Sequence, residues 1–404
     1  MLDRKKAVQA LRTARWVRDH DAQTIFKVLD GLSDHTRAVG GAVRDTLLGR
    51  YSIRTDLDLA TELSPDEVIE RAKDAGLSYY PTGIKHGTVT VRCGQTNVEV
   101  TTLREDVVTD GRHAKVAFGK DWIADARRRD FTINALYSSM NGVLFDPLDA
   151  LTDLLEQRVV FIGDPDQRIA EDYLRVYRFF RFTAGYAGEK CDPESLAACA
   201  RARDKLSQLS AERVGSEMMK ILSLQKVAAT LAQMVKVGIL HISVKALRAL
   251  AAYEDLSSSP VGVARLAILF CDHNPAELQK AWRLSKATMT EATELCAAAD
   301  MAVQSNLNEV AYRHLRLGPV AICVGAAMAG WEEGRYREAI ETFRAIDVPR
   351  FPITGNDLIE SGFAQGPALG KALRRIERDW VKSGFEMDKN RLLHRLQVYL
   401  SMPL

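Results

Sequence analysis

The run from Gly40-Gly41 through Arg44-Asp45 to Asp56-Leu57-Asp58 constrains this chain more than any other. Thr36-Arg37-Ala38-Val39 before it reads as a short strand, and Ala42 to Leu48 has the apolar spacing of a short helix. The glycines therefore fall at a strand-to-helix turn. Without side chains they let backbone N–H groups approach an anion, and the helix N-terminus adds a favourable dipole. Arg44 can add charge-assisted hydrogen bonds to phosphate. In a strand, Asp56 and Asp58 face the same side because side chains alternate with period two, so both can hold one pair of cations. Magnesium suits carboxylates combined with substrate phosphate oxygens. Glu99, in Asn97-Val98-Glu99-Val100, is either a third carboxylate from a neighbouring strand or a solvated outward residue of an edge strand. A Gly-Gly turn or an Asp-x-Asp strand is common alone; their ordered combination indicates nucleotidyl transfer.

Two later segments extend this reading. Arg129 and Asp130 precede a run in which Asn134 lies four residues after Asp130, so a helix would put those two polar groups on one face. A carboxylate accepting from a ribose 2′-OH is one way to prefer ribonucleotides; the alternative for Asp130 is a cap or a surface ion pair. Arg168 to Phe182 reads as one amphipathic helix, with Ile169, Tyr173, Val176 and Phe180 toward a core. Asp172 and Arg175 are neighbours on another face and can offer an acceptor and a fork of donors to a base edge. Cytosine and adenine each present an amino donor there, whereas uracil and guanine would set a carbonyl against the Asp172 carboxylate, at about 1–3 kcal/mol for the unpaired groups. A surface ion pair is the plain alternative. Arg178 suits triphosphate better than base, or is a solvated arginine.

These motifs carry a resemblance. Gly40-Gly41-Ala42-Val43-Arg44-Asp45 with Asp56-Leu57-Asp58-Leu59-Ala60-Thr61 resembles the first motif of the bacterial-type (class II) CCA-adding tRNA nucleotidyltransferases and their poly(A) polymerase relatives. Arg128-Arg129-Asp130-Phe131-Thr132-Ile133-Asn134-Ala135-Leu136 is similar to the family's second motif, whose Arg-Asp pair contacts the ribose. Glu171-Asp172-Tyr173-Leu174-Arg175-Val176-Tyr177-Arg178 is similar to its base-selecting motif, and Glu212-Arg213-Val214-Gly215-Ser216-Glu217 to the helix that braces that site. The resemblance implies an α+β fold: a mixed α/β, polymerase-beta-like nucleotidyltransferase head followed by an all-α neck, body and tail. It implies template-independent addition of CCA to tRNA from CTP and ATP with Mg2+, without DNA or membrane as partner. Poly(A) polymerase or a partial, A-only or CC-only, enzyme is the alternative within that chemistry, and a non-catalytic RNA-binding protein the alternative outside it. Some relatives carry a His-Asp phosphohydrolase domain; the only such pair here, His20-Asp21, lacks companion ligands, so no phosphatase activity is expected.

The organisation agrees. Strand-like runs such as Gly87 to Arg92 alternate with short helices in the first section, and Arg104 to Ala126 reads as a long polar loop, carrying Asp106, Asp110, Arg112, His113 and Lys115, either beside the site or as a surface excursion. In the family such a loop helps the change from adding C to adding A. From about Leu151 helical periodicity dominates, as in Lys220 to Val237, with breaks at Ser257 to Pro260 and Gly330 to Gly334. The expected divisions are head 1–148, neck 149–222, body 223–332 and tail 333–404. In the tail, Phe351 to Leu358 and Gly366 to Lys371 resemble a C-terminal element that supports tRNA in the family. Pro367 suits a helix first turn, after which Lys371, Arg374, Arg375 and Arg378 either bind RNA backbone or form a solvated charged face with Glu377 and Asp379. A formal charge of +2 excludes a global basic field. Six cysteines without Cys-x-x-Cys spacing, and a charged N-terminus without a signal-peptide core, point to reduced thiols in the cytoplasm.

Overall fold

The computed structural model describes residues 3–51, 56–106, 116–270 and 273–401. Asp110, Arg112, His113, Lys115 and Cys271 lie outside them. The fold is α+β, as expected. Among the described residues the nine strands are β1 (Thr36–Val39), β2 (Leu57–Thr61), β3 (Ser78–Gly83), β4 (Thr88–Cys93), β5 (Thr96–Thr102), β6 (Arg104–Asp106), β7 (Val116–Phe118), β8 (Tyr137–Ser138) and β9 (Leu144–Phe145). Seven form a sheet in the order β3-β4-β5-β2-β1-β8-β9, and β6 with β7 make a two-stranded ribbon. β2 and β5 run parallel, and the other neighbours are antiparallel.

Alternation along the strands decides which face is covered. Val89, Val91, Val98, Val100 and Leu59 are buried, and the helices His20–Val28 and Pro65–Asp74 pack on these strands through Ala22, Ile25, Phe26, Val68 and Ala72. Each such aliphatic side chain is worth roughly 1.5–3 kcal/mol of transfer. The second helix starts where Ser64 and Glu67 cap each other reciprocally. The intervening residues, Thr88, Thr90, Asn97, Glu99 and Asp58, emerge on the opposite face.

The region read as one loop, Arg104 to Ala126, holds more structure than its composition suggests. It contributes the β6–β7 ribbon and a helix, Trp122–Arg127, opened by Asp121, whose Oδ1 accepts from the N–H of Ile123 and Ala124 at 2.7 and 3.2 Å. The amphipathic run Arg168 to Phe182 is two helices, Pro165–Glu171 and Leu174–Tyr186. At the junction Asp172 is extended (φ −154°, ψ 105°), and its carboxylate accepts from the Leu174 N–H at 3.1 Å. A local side-chain cap thus competes with the helix, which apolar periodicity cannot reveal.

Chain contacts separate two compact units, Met1–Glu217 with Gln233–Ile239, and Met218–Ala232 with Leu240–Leu404. In the first, an aromatic cluster fixes the helix Leu174–Tyr186 next to the loop after Asp130: Phe131 lies 4.8 Å from Phe161 and 5.3 Å from Phe182, and Phe179 stacks on Phe161 at 5.8 Å. In the second, no strand occurs among the described residues. There the helices Lys286–Val303 and Gly318–Ala329 approach so closely that a Cβ on Gly325 would meet the Ala299 carbonyl at 2.8 Å. The expected helix Lys220 to Val237 is interrupted, because the buried Arg265 takes the carbonyls of Leu222, Leu224 and Gln225 at 2.6, 2.6 and 2.8 Å. Its partner Glu254 accepts from the Val227 N–H at 2.8 Å, so side chains take up backbone groups that the interruption would leave unpaired.

Candidate active site

The register of the sheet sets the glycine turn beside the carboxylates. Val39, the last residue of β1, is opposite Asp58 in β2, and Asp58 is opposite Glu99 in β5. Gly40 follows at φ +67°, a conformation that favours glycine, and the helix Gly41–Leu47 begins at once. The Gly40 N–H donates to the Leu136 carbonyl at 3.1 Å.

Arg44 projects from the first turn of that helix and is buried among protein acceptors. It donates from Nε to Asp45 Oδ1 at 3.0 Å, from Nη1 to Asn134 Oδ1 at 2.5 Å and from Nη2 to the Tyr186 hydroxyl at 2.6 Å. The Tyr186 ring lies 4.0 Å from the guanidinium, and its hydroxyl donates to Asp45 at 2.9 Å. Asn134 passes the network on, donating to Asp130 Oδ1 at 3.0 Å from a short 3-10 turn, where an α-helix was expected. Asp130 also receives the Phe131 N–H at 2.9 Å and Arg178 through Nε at 2.7 Å and Nη2 at 2.5 Å. Burial alone would raise the Asp130 carboxyl; Arg178 and the other donors outweigh it and hold the group below its ordinary range. Four donors fill its lone-pair sites, so a ribose hydroxyl can reach it only by displacing one of them.

Asp58 lacks such compensation. Burial, then the neighbouring charges of Glu99 and Asp56, push its carboxyl up to about 6, against the opposing pull of Arg129. Arg129 itself is shared with Asp125 Oδ2, at 3.0 Å from Nη2, and with the Tyr137 hydroxyl at 3.0 Å, while Arg128 takes Asp125 Oδ1. Asp56 is exposed and sits one residue before β2, so strand alternation does not fix its direction. Among the described residues no group of three or more His, Cys, Asp or Glu is already arranged to hold a metal ion. The donor set still fits a hard cation that keeps open positions: carboxylate oxygens, an excess of negative charge and a raised acid that a cation would discharge.

Asp172 and Arg175 are near each other in sequence but not paired. Asp172 Oδ2 accepts from Arg213 Nη2 at 2.7 Å, whereas Arg175 Nη1 is held by Glu171 Oε2 at 2.5 Å and by the Arg168 carbonyl at 2.7 Å. Glu171 also binds Arg168 Nη1 at 2.5 Å, and Arg168 Nη2 donates to the Arg129 carbonyl at 2.7 Å. The plain reading of an i,i+3 ion pair is thereby set aside: each group has its own brace and keeps unused hydrogen-bonding capacity. Asp125, Tyr137, Arg168 and Tyr186 were not anticipated. Asp125 had a local signal, standing four residues before Arg129; Tyr186 had none, being far along the chain from Arg44.

In the second unit Lys371, Arg374, Arg375 and Arg378 are all exposed on the helix Pro367–Lys382, which Pro367 opens. Their spacing puts them on one side. Glu377 and Asp379 are engaged elsewhere, by the Tyr312 hydroxyl at 2.7 Å and by Arg395 at 2.9 Å.

Known proteins resemble this chain over most of its length. Residues 36–160 match the poly A polymerase head domain, and residues 190–250 match a probable RNA and SrmB-binding site of polymerase A. The mouse mitochondrial CCA tRNA nucleotidyltransferase 1 is 34% identical over 384 residues, 88% of this chain and 85% of its own length. A CCA-adding enzyme of Lacticaseibacillus paracasei is 30% identical over 391 residues, 91% and 94% of the two chains. Among solved structures, the Bacillus stearothermophilus CCA-adding enzyme in complex with CTP superposes with a TM-score of 0.77 at 27% identity, covering 95% of this chain and 98% of that one.

Proposed function

The chain belongs to the family of CCA-adding tRNA nucleotidyltransferases, and we propose that it adds CCA to the tRNA 3′ end, using CTP and ATP and releasing pyrophosphate. The observation that carries this reading is the register that sets Asp58 beside Glu99 on one side and the Gly40 turn on the other. Asp56 and Asp58, with Glu99 as a third carboxylate, would hold Mg2+, which supplies positive charge for the departing pyrophosphate and lowers the pKa of the attacking 3′-OH.

The chain's own residues do the rest. Gly40 shapes the turn, its own N–H being taken by the Leu136 carbonyl, and the backbone N–H groups from Gly41 onward in the first helical turn receive the triphosphate. Arg44, with every nitrogen already bonded, braces that turn, a duty different from the direct phosphate contact its position first suggests. Arg178 leaves Asp130 for the triphosphate when nucleotide enters, and the freed Asp130 oxygen accepts the ribose 2′-OH. Arg129 remains beside Asp58 and tempers its charge. Asp172 accepts the amino group of cytosine or adenine while Arg175 donates to the ring edge, both held in place by Arg213 and Glu171. Side chains thus stand in for a template strand.

Residues 1–148 serve as the catalytic head, 149–222 as the neck that reads base and triphosphate, and 223–332 and 333–404 as body and tail that bind tRNA, the latter through Lys371, Arg374, Arg375 and Arg378. No helix among the described residues is long and apolar enough to cross a membrane. The described cysteines, Cys93, Cys191, Cys199, Cys296 and Cys323, are free thiols, in keeping with a cytoplasmic enzyme. The deciding experiment offers tRNAs ending before CCA, at C and at CC with each triphosphate separately. Stepwise growth by one trinucleotide supports this reading; a long A tract on varied RNAs supports polyadenylation instead.

A further inference from the structure

The face that carries Asp58 and Glu99 does not end with them. Direct cross-strand partners lie on the same face, and the register continues from Asp58 to Glu99, to Thr90 in β4 and to Tyr80 in β3. The adjoining rows on that face hold Ser78, Arg92 and Asn97 on one side, and Thr88 and Thr101 on the other. On β3, β4 and β5 the helices His20–Val28 and Pro65–Asp74 pack on the opposite, valine-lined face, whereas toward β1 and β2 the Asp58 face is covered, through Val39 and Ala60, by Trp122 and Ala126 of the helix Trp122–Arg127. Tyr80 is 46% exposed, and Arg92, Asn97 and Glu99 are exposed as well. Hydroxyl pairs tie the surface together, Thr82 to Thr90 at 2.9 Å and Thr88 to Thr101 at 3.0 Å. The outer strand carries Pro81 and a register irregularity between Tyr80 and Gly83, both of which discourage another strand from adding to this edge.

We infer that this face of β3, β4 and β5 is the seat of the single-stranded 3′ end of the acceptor RNA, with Tyr80 stacking on one of its last bases and Arg92 meeting a phosphate. The inference rests on the proposed nucleotidyl transfer at Asp58. Three strand spacings separate Tyr80 from Asp58, about 14 Å, so a strand whose terminal hydroxyl is at the carboxylates has its preceding nucleotides over β4 and β3. A flat sheet face with an exposed aromatic ring, hydroxyls and a cation suits unpaired nucleotides, which recognition by stacking and backbone contact favours. Lys85 and His86, exposed in the turn after β3, extend the positive charge along the path.

The test uses the full chain and a tRNA lacking CCA, with 4-thiouridine as its last nucleotide or the one before it. Photocrosslinks are expected within residues 78–101, and their mapping wholly elsewhere overturns the inference. In steady state, Tyr80→Ala and Arg92→Ala are each expected to raise KM for tRNA roughly tenfold while leaving KM for CTP unchanged, and Tyr80→Trp is expected to retain wild-type KM. Equal KM for tRNA in all variants overturns the inference, as does a rise that Tyr80→Trp fails to rescue. Asp58→Ala separates the two claims: incorporation that needs Asp58 but ignores Tyr80 and Arg92 refutes this surface alone, whereas incorporation that survives Asp58→Ala refutes the catalytic reading beneath it.

Discussion

Arg178 grips Asp130 at two points, Nε at 2.7 Å and Nη2 at 2.5 Å from the same carboxylate oxygen. This pair joins the helix Leu174–Tyr186 to the loop that Phe131 anchors, and in the proposed function it orders the site before nucleotide enters. Arg178→Ala leaves Asp130 buried without its cation. We expect a loss of about 2 kcal/mol, less than a fully buried pair costs because the Arg178 side chain is 32% exposed. Urea melts check it, and the double variant with Asp130→Asn should lose less than the sum of the two single changes.

Asp58 makes stability depend on pH in a definite direction. Its folded-state carboxyl is raised to about 6, so between its ordinary value and about 6 the native state binds more protons than the unfolded state. Stability without divalent ions therefore falls as pH rises through that window and levels off above it. Asp58→Asn should raise the melting temperature at pH 7.5, by an amount equivalent to at most about 3 kcal/mol, and change it little below pH 4. Magnesium should stabilise the wild type at pH 7.5 and progressively less below pH 6, since the proton and the cation compete. Thermal melts across pH with and without the ion read both effects.

Arg213 touches no base in this account, yet it should govern base choice. It fixes one oxygen of Asp172 at 2.7 Å. Arg213→Ala frees that carboxylate to turn, and we expect kcat/KM for CTP to fall about tenfold while the ratio of CTP to UTP incorporation falls as well. Single-nucleotide extension with each triphosphate measures it; unchanged discrimination would remove Arg213 from the selection device.

The exposed basic face of the helix Pro367–Lys382 should act on affinity alone. Replacing Lys371, Arg374, Arg375 and Arg378 together with Gln should weaken tRNA binding. The slope of log K against log salt should become shallower by about 2 to 4 as phosphate contacts are lost. The fold should tolerate the change because all four side chains are exposed. Filter binding over a range of salt concentrations tests it.

Features set by short spacing could be read from the chain alone. The glycine turn and the strands carrying Asp58 and Glu99 follow from local geometry, the nearness of Asp130 and Asn134 follows from their spacing although a 3-10 turn and not an α-helix provides it, and the shift to helices from about Leu151 follows from periodicity. Contacts that closure of the fold creates could not be read. Nothing near Arg44 points to Tyr186, because the aromatic cluster around Phe131 brings those segments together, and nothing near Asp172 points to Arg213, whose helix is tied to Leu174–Tyr186 by the Arg181–Glu217 ion pair. The break at Asp172 was hidden for a different reason: the apolar stripe runs through it, and only a carboxylate capping the Leu174 N–H interrupts the helix. In the stretch after Arg104, Asp121 was a legible N-cap that a polar composition masked.

The chemistry is assigned to Asp56 and Asp58. That assignment is tested most directly by labelled CTP and ATP incorporation into tRNA lacking CCA, with tRNA binding measured in parallel, for the wild type and for the Asp56→Ala, Asp58→Ala double variant. Growth by CCA is expected in the wild type, no incorporation in the variant, and equal tRNA affinity in both. Persistent incorporation by the double variant would contradict the assignment.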